Sequence, residues 1–390
     1  MFNWFGRKGG RPALPRHVLG FTAGWDAGGG DVPASYTARV REALTNNPVA
    51  SRAIRLVAES AGAAPLKVSG GAESGGRTLS ALIAQPNPRE TRAAFLETLA
   101  VHLLLHGNAY VDAALGAGGR PAELHALRPD RVSVEPDARG WPTAFLYRAG
   151  ETAVRLPAHG CGDAAHGGGS GVLHIRMLNP IDDHYGLGCL AAAAGAVATH
   201  NAAAAWNRAL LGNAARPSGA LVFEGEGALS PQQFERLRAE MEASFAGAAN
   251  AGRPMLLEGG LKWQALSMTP ADMDFAGMHA AAARDIALAF GVPPMLLGLP
   301  GDNTYANYSE ANRALWRLTV LPLAQRIVEA LSGWLSHWWA DASVAIDKDA
   351  IPALSHDREI LWAQVTAADF LSGEEKRRLL GLDAEDQPSE

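Results

Sequence analysis

His159, Cys161, Asp163 and His166 come nearest, by type and spacing, to a reactive centre: two imidazoles, a thiol and a carboxylate within one short stretch. A zinc ion held by such a set would activate water for hydrolysis. The stretch lacks paired C-x-x-C spacing and is rich in glycine, so a metal-dependent hydrolase using the His159–His166 loop stands as the alternative reading, not the leading one. His102 and His106 are four apart on a helical pattern, which would aim both rings at one ion, but no H-E-x-x-H accompanies them. Asp182-Asp183-His184 offers a carboxylate and an imidazole for acid–base work. A cap on the helix that follows accounts for the same residues. Gly167-Gly168-Gly169-Ser170-Gly171 lacks the spacing of a dinucleotide fingerprint and reads as a turn. Neither G-x-x-x-x-G-K-[ST] nor G-x-S-x-G occurs, so no triphosphate cradle and no nucleophile elbow is expected. The expectation is a chain with no catalytic residue, no metal and no cofactor, and hence not an enzyme.

Composition narrows the class. The 390 residues are 48% hydrophobic and 19% charged, enough for two or three domains with a sizeable core. A net charge of −6 argues against a protein that grips nucleic acid by neutralising phosphates, though not against nucleic acid passing by. Two cysteines, Cys161 and Cys189, are too few for a disulfide framework, so synthesis in a reducing cytoplasm is expected. The most apolar run, Leu190 to Leu211, is mostly alanine and carries His200, Asn201, Asn207 and Arg208, which rules against a membrane span. No targeting segment is apparent.

The elements organise around residues 291–339. Gly291, Pro293 and Pro294 stop the preceding helix, and Gly298 to Ser309 is small, polar and turn-forming. Asn307, three residues before Glu310, predicts a capping box and a helix starting near Tyr308. Ala311, Leu315, Leu318, Ile327, Leu331, Trp334 and Trp338 then keep to one stripe, with Arg313, Arg317 and Arg326 off it. That helix would run roughly 45 Å and kink at Pro322.

Residues 1–33 hold repeated glycine and read as a flexible arm. Helices are expected over 48–63 and 91–106. Around them GNAYVDAAL, ELHAL, RVSVEP, AFLYR, AVRLP and VLHIRM alternate as antiparallel strands, so 34–185 is an α+β domain. Cys189 to Asn213 and Asp272 to Phe290 are alanine-rich helices flanking a small α/β insert. Ser343 to Asp347 reads as a strand, Asp357 to Leu382 as one or two helices, and the acidic end beyond Asp383 as frayed.

The ordered blocks GNAARPSGALV, AGRPMLLEGGLKWQALSMTPADMDF, GVPPMLLGL and YSEANRALWRLTVLPLAQRIVEAL resemble the portal proteins of tailed phages of the lambda-like, HK97-type capsid lineage, gene transfer agent portals included. The resemblance spans residues 40 to 340. It implies a portal fold: a wing (34–185), first stem helix (186–213), clip (214–270), second stem helix (271–290), tunnel loop and long kinked helix (291–339), then a return strand and helical crown (340–390). It also implies a ring, a dodecamer, at one capsid vertex of a virion or phage-like particle. Through that ring double-stranded DNA would enter and leave, with large terminase, head–tail adaptor and major capsid protein as partners and no membrane.

In that reading Asp302, Asn303, Thr304, Tyr305, Ala306 and Asn307 form the loop facing the channel, giving polar contact without cationic trapping. Net acidity suits a conduit, because a wall that repels phosphate lowers the barrier to sliding. Glu310, Arg313 and Arg317 are candidates for contacts between subunits, with solvated surface arginines as the plain alternative. A monomeric cytosolic binding protein is a third reading, separated from the first by mass in solution.

Overall fold

The computed structural model describes residues 35–70, 78–116, 118–159, 171–212, 219–223, 230–245, 261–265, 275–300 and 305–380. The N-terminal arm, Cys161, Asp163, His166, Asp302, Asn303, Thr304 and the acidic tail lie outside these residues.

Helix starts are written locally by short polar side chains. Ser35 caps α1 (Tyr36–Leu44), and Asn47 caps α2 (Pro48–Gly62), its Oδ1 accepting from the Ala50 N–H at 2.9 Å with Pro48 in the first turn. After β1 (Leu66–Ser69), the short α3 (Leu79–Ala84) is capped by Thr78, and α4 (Arg92–His106) by Thr91. α4 ends on Gly107 at φ +82°, a left-handed cap that glycine adopts without a Cβ clash. Gly107 also meets the chain at residues 186–188: a Cβ on Gly186 would lie 2.1 Å from the Gly107 oxygen. The Gly-Leu-Gly turn therefore seats one backbone directly on another at the end of α4.

Six alternating runs form the expected strands: β2 (Asn108–Leu115), β3 (Pro121–Leu127), β4 (Val132–Pro136), β5 (Pro142–Ala149), β6 (Thr152–Pro157) and β7 (Leu173–Arg176). They make two separate antiparallel sheets, in orders β3-β2-β7 and β4-β5-β6. Tyr110 and Phe145 meet edge-on at 5.3 Å in the small core between them.

α5 (Cys189–Gly212) and α7 (Phe275–Ala289) flank β8 (Gly219–Phe223), α6 (Pro231–Phe245) and β9 (Leu261–Ala265), with β8 and β9 paired antiparallel. α6 opens with a reciprocal box in which the Gln233 N–H donates to Ser230 Oγ and the Ser230 N–H to Gln233 Oε1. Two of the polar residues that argue against a membrane span, His200 and Asn201, dock α5 on its neighbours. Asn47 Nδ2 donates to His200 Nδ1 (3.2 Å) and to Asn201 Oδ1 (3.0 Å), and Asn201 Nδ2 donates to Glu42 Oε2 (2.9 Å). His200 stacks on His279 of α7 with centroids 3.8 Å apart. Among the described residues no helix is long and apolar enough to cross a membrane.

The long helix departs from expectation in two ways. It starts at Tyr305, not Tyr308, so Asn307 lies inside the helix and not at its N-cap position. It also runs as α8 (Tyr305–Leu315), a five-residue π turn (Trp316–Val320) and α9 (Leu321–Leu335). Pro322 cannot donate to the preceding turn and crowds its carbonyl, and the wider turn before it absorbs both. The extra residue shifts the helical phase. Burial steps from Leu315 to Val320 and on through Ala324, Ile327, Leu331 and Trp334, and Leu318, expected on the buried stripe, is 77% exposed.

α9 and the turn that follows it carry the two largest fully buried side chains among the described residues, Trp334 and Trp339. Trp334 is buried and its Nε1 donates to the Gly171 carbonyl at 3.0 Å, tying the helix to the start of β7. β10 (Ser343–Ile346) then returns to pair antiparallel with β1, Leu66 opposite Ile346. Residues 340–390 therefore contribute a strand to the N-terminal unit before α10 (Ser355–Ala367) and α11 (Gly373–Leu379). α11 also opens with a capping box, Ser372 with Glu375. The whole is a mixed helix-and-sheet fold.

Candidate functional site

Among the described residues the candidate chemistry resolves into packing and turns. His102 and His106 lie on α4, and burial pushes both imidazoles down to about 4. His174, on β7, is pushed down to about 3 by burial and then by Arg176. Asn108, fully buried, organises this group: its Nδ2 lies 3.0 Å from His106 Nδ1, and its Oδ1 lies 3.0 Å from His174 Nε2 and accepts from the Gly186 N–H at 2.7 Å. Burial favours the neutral form of all three rings, and His106 and His174 meet through Asn108 at the Gly107–Gly186 crossing. Asp182 Oδ1 accepts from the backbone of His184 (2.7 Å) and Tyr185 (2.9 Å), so it closes a turn and does not cap α5, which starts at Cys189. His159 is exposed beyond β6, while its three partners fall outside the described residues. No group of three or more potential metal ligands occurs among the described residues. The Cys189 thiol is free, and burial pushes its pKa up, away from reactive thiolate character.

The segment leading to 298–307 is held by backbone-directed side chains. Gly291, φ +64°, ends α7, and its carbonyl accepts a 2.6 Å hydrogen bond from Thr319 Oγ1 of the π turn. A Cβ at Gly291 would stand 2.6 Å from that same oxygen, so position 291 needs glycine for both conformation and contact. Pro294–Leu297 form a 3-10 turn closed by Gly298 at φ +74°. Arg284 of α7 reaches across to the Pro300 carbonyl at 3.1 Å and its own helix at Ala280 (3.3 Å). The root of the loop is thus fixed at Gly291 from the long helix and at Pro300 from α7.

Of the expected loop residues, Asp302, Asn303 and Thr304 lie outside the described residues. Tyr305 and Ala306 open α8, and Asn307 and Tyr308 are exposed on its first turns. The polar connection is therefore shorter than expected and runs into a helix N-terminus. Glu310 and Arg313 form an i,i+3 pair within the chain and border a hollow of about 310 Å3 with Ala314, Arg317 and Leu318. Arg284 and Thr319 had no signal in the sequence. Their role comes from donors meeting backbone carbonyls far along the chain, which no local spacing encodes.

Comparison with known proteins places the chain. Residues 48–381 match the family model described as phage portal protein, and the chain belongs to that family. A chain in the neck of an empty GTA (gene transfer agent) particle, solved with C6 symmetry, is similar at 48% identity and TM-score 0.67, with 90% of this chain and 94% of that chain covered. An uncharacterised protein of Rickettsia bellii is 40% identical over 349 residues, 87% of this chain and 88% of the relative. An HK97-family phage portal protein from Corynebacterium diphtheriae shares the fold at 20% identity and TM-score 0.54, covering 80% of this chain and 96% of that one.

Proposed function

We propose that this chain is the portal subunit of a phage-like particle. Copies of it close a ring at one capsid vertex, and double-stranded DNA passes through that ring during packaging and ejection. Family membership over residues 48–381 carries the reading. The 47–48% identity to chains of gene transfer agent particles favours that kind of particle as the source. In this reading 34–185 with β10 is the wing, α5 and α7 are the stem, β8-α6-β9 within 214–270 is the clip, and α10–α11 form the crown. The clip docks terminase during packaging and the head–tail adaptor afterwards, and the major capsid protein surrounds the wing.

The tunnel loop is the segment Gly298 to Asn307, anchored by Arg284 and Thr319. Its middle residues Asp302, Asn303 and Thr304 present polar groups to passing phosphates, and Tyr305, Ala306 and Asn307 form the helical shoulder behind them. A ring of identical loops would repeat those groups around the duplex while binding none of it tightly. The test keeps the loop length and removes its side-chain chemistry, with Asp302→Gly, Asn303→Ala and Thr304→Gly in one variant. Ring assembly and particle yield are expected to match the parent, while the amount or length of encapsidated DNA changes. Unchanged cargo in normal particles would remove the support for the loop assignment and leave the ring reading standing.

A further inference from the structure

Four large aliphatic side chains stand almost fully in solvent on one side of the molecule: Leu178 at 81%, Ile181 at 73%, Leu288 at 79% and Leu318 at 77% exposed. They are not scattered. Leu288 and Leu318 border a groove of about 310 Å3 that also takes in Met177, Phe290, Pro322 and Arg326. Leu178 borders an adjoining hollow of about 480 Å3, and Met177 and Arg326 line both, so the two are one continuous surface. Ile181 projects from the same 178–185 turn. The backbone around it is well tied. Arg326 Nη1 donates to the Arg176 carbonyl at 3.1 Å, Arg176 donates to the Asp183 carbonyl, and Asn179 Nδ2 donates to the Tyr185 carbonyl at 2.8 Å. The apolar tips are held out by a fixed frame.

We infer that this surface is one face of the contact between neighbouring copies of the chain, which rests on the ring reading above. Large aliphatic side chains exposed to this degree and grouped around one groove mark an interaction surface, unlike singly scattered surface leucines. The rim is of mixed sign, Arg176 and Arg326 beside Asp182 and Asp183. A duplex would need a rim of one positive sign, whereas a mixed rim suits a second copy of an equally mixed chain. Similar chains come from particle necks solved with sixfold and twelvefold symmetry, where each subunit meets a neighbour by the same operation. In such a head-to-tail ring the groove on every copy is covered by a different face of the next.

The surface has its origin in the π turn. With uninterrupted α geometry Leu318 would fall on the buried stripe of the long helix. The extra residue before Pro322 turns it outward beside Leu288, and that position reads as a core leucine in the sequence.

The experiment uses the full-length chain and a Leu288→Glu/Leu318→Glu double variant, followed by sedimentation velocity across a concentration series. Both positions are exposed, so the unfolding midpoint is expected to stay at the parent value, while the concentration for half-assembly rises about tenfold or more. Assembly at the parent concentration with the fold intact would overturn the proposal and leave the ring reading untouched. A parent chain that stays monomeric at every concentration would overturn the ring reading and this surface with it. Should the double variant unfold, a photo-cross-linking side chain at position 318 of the otherwise unaltered chain decides. A covalent product of two copies supports the proposal, and capture only of a different protein in particles overturns it.

Discussion

At the scale of residues, the buried histidines of α4 and β7 are structural polarity kept inside. Among His102, His106 and His174, burial is the largest influence on every ring and it disfavours the charged form. Asp130 pulls His102 and His106 back upward, and Arg128 pushes His102 further down. Their folded values of about 4, 4 and 3 lie below the ordinary 6.5, so as pH falls the unfolded chain takes up protons first. Stability is therefore undiminished above pH 6.5 and is lost between 6.5 and about 4, with His174 extending the loss towards 3. The slope approaches about 1.4 kcal/mol per pH unit for each proton by which the two states differ. Urea unfolding at pH 7.5 and pH 5 should show a lower midpoint at pH 5 with an unchanged denaturant slope. Equal midpoints would mean that these rings are not neutral in the folded chain. In the sequence the His102/His106 pair at i, i+4 was legible as two rings on one helix face. What the face meets was not, because Asn108 and the Gly186 amide that complete the group arrive from a turn and from a crossing far along the chain.

At the scale of elements, the order of helices and strands was largely legible because each has local signals. Thr91 with Gly107 brackets α4, Ser230-Pro231 opens α6, and period-two alternation marks β2 to β7. The long helix shows where such signals stop. Asn307 and Glu310 have capping-box spacing, yet the helix begins two residues before Asn307. Pro322 announced a disturbance but not its form, since a kink and a π turn satisfy the same missing donor. The i to i+5 step from Leu315 to Val320 is visible only once the structure says which residues are buried. The join between α7 and this helix includes a hydrogen bond from Thr319 Oγ1 to the Gly291 carbonyl. Gly291→Ala puts a Cβ into that contact and an L residue at φ +64°, so it should destabilise by about 2 kcal/mol or more from the two effects together. Thr319→Val, which removes only the hydrogen bond, should cost about 1 kcal/mol. Calorimetry on both variants tests the ranking. Equal small losses would show that the glycine conformation is not under constraint.

At the scale of the whole molecule, ordered sequence blocks carried more than any motif, and the family they pointed to is the one to which residues 48–381 belong. The pairing of β1 with β10 was beyond reach, because four-residue strands almost three hundred positions apart share no local pattern. So was the outward turn of Leu318. If copies of this chain close into a portal ring, electron microscopy of the purified full-length protein will show it. Closed rings of uniform rotational symmetry with an axial channel are expected, with residues 298–307 facing that channel. Dispersed single subunits at every concentration, or rings with 298–307 on the outer wall, would contradict this expectation.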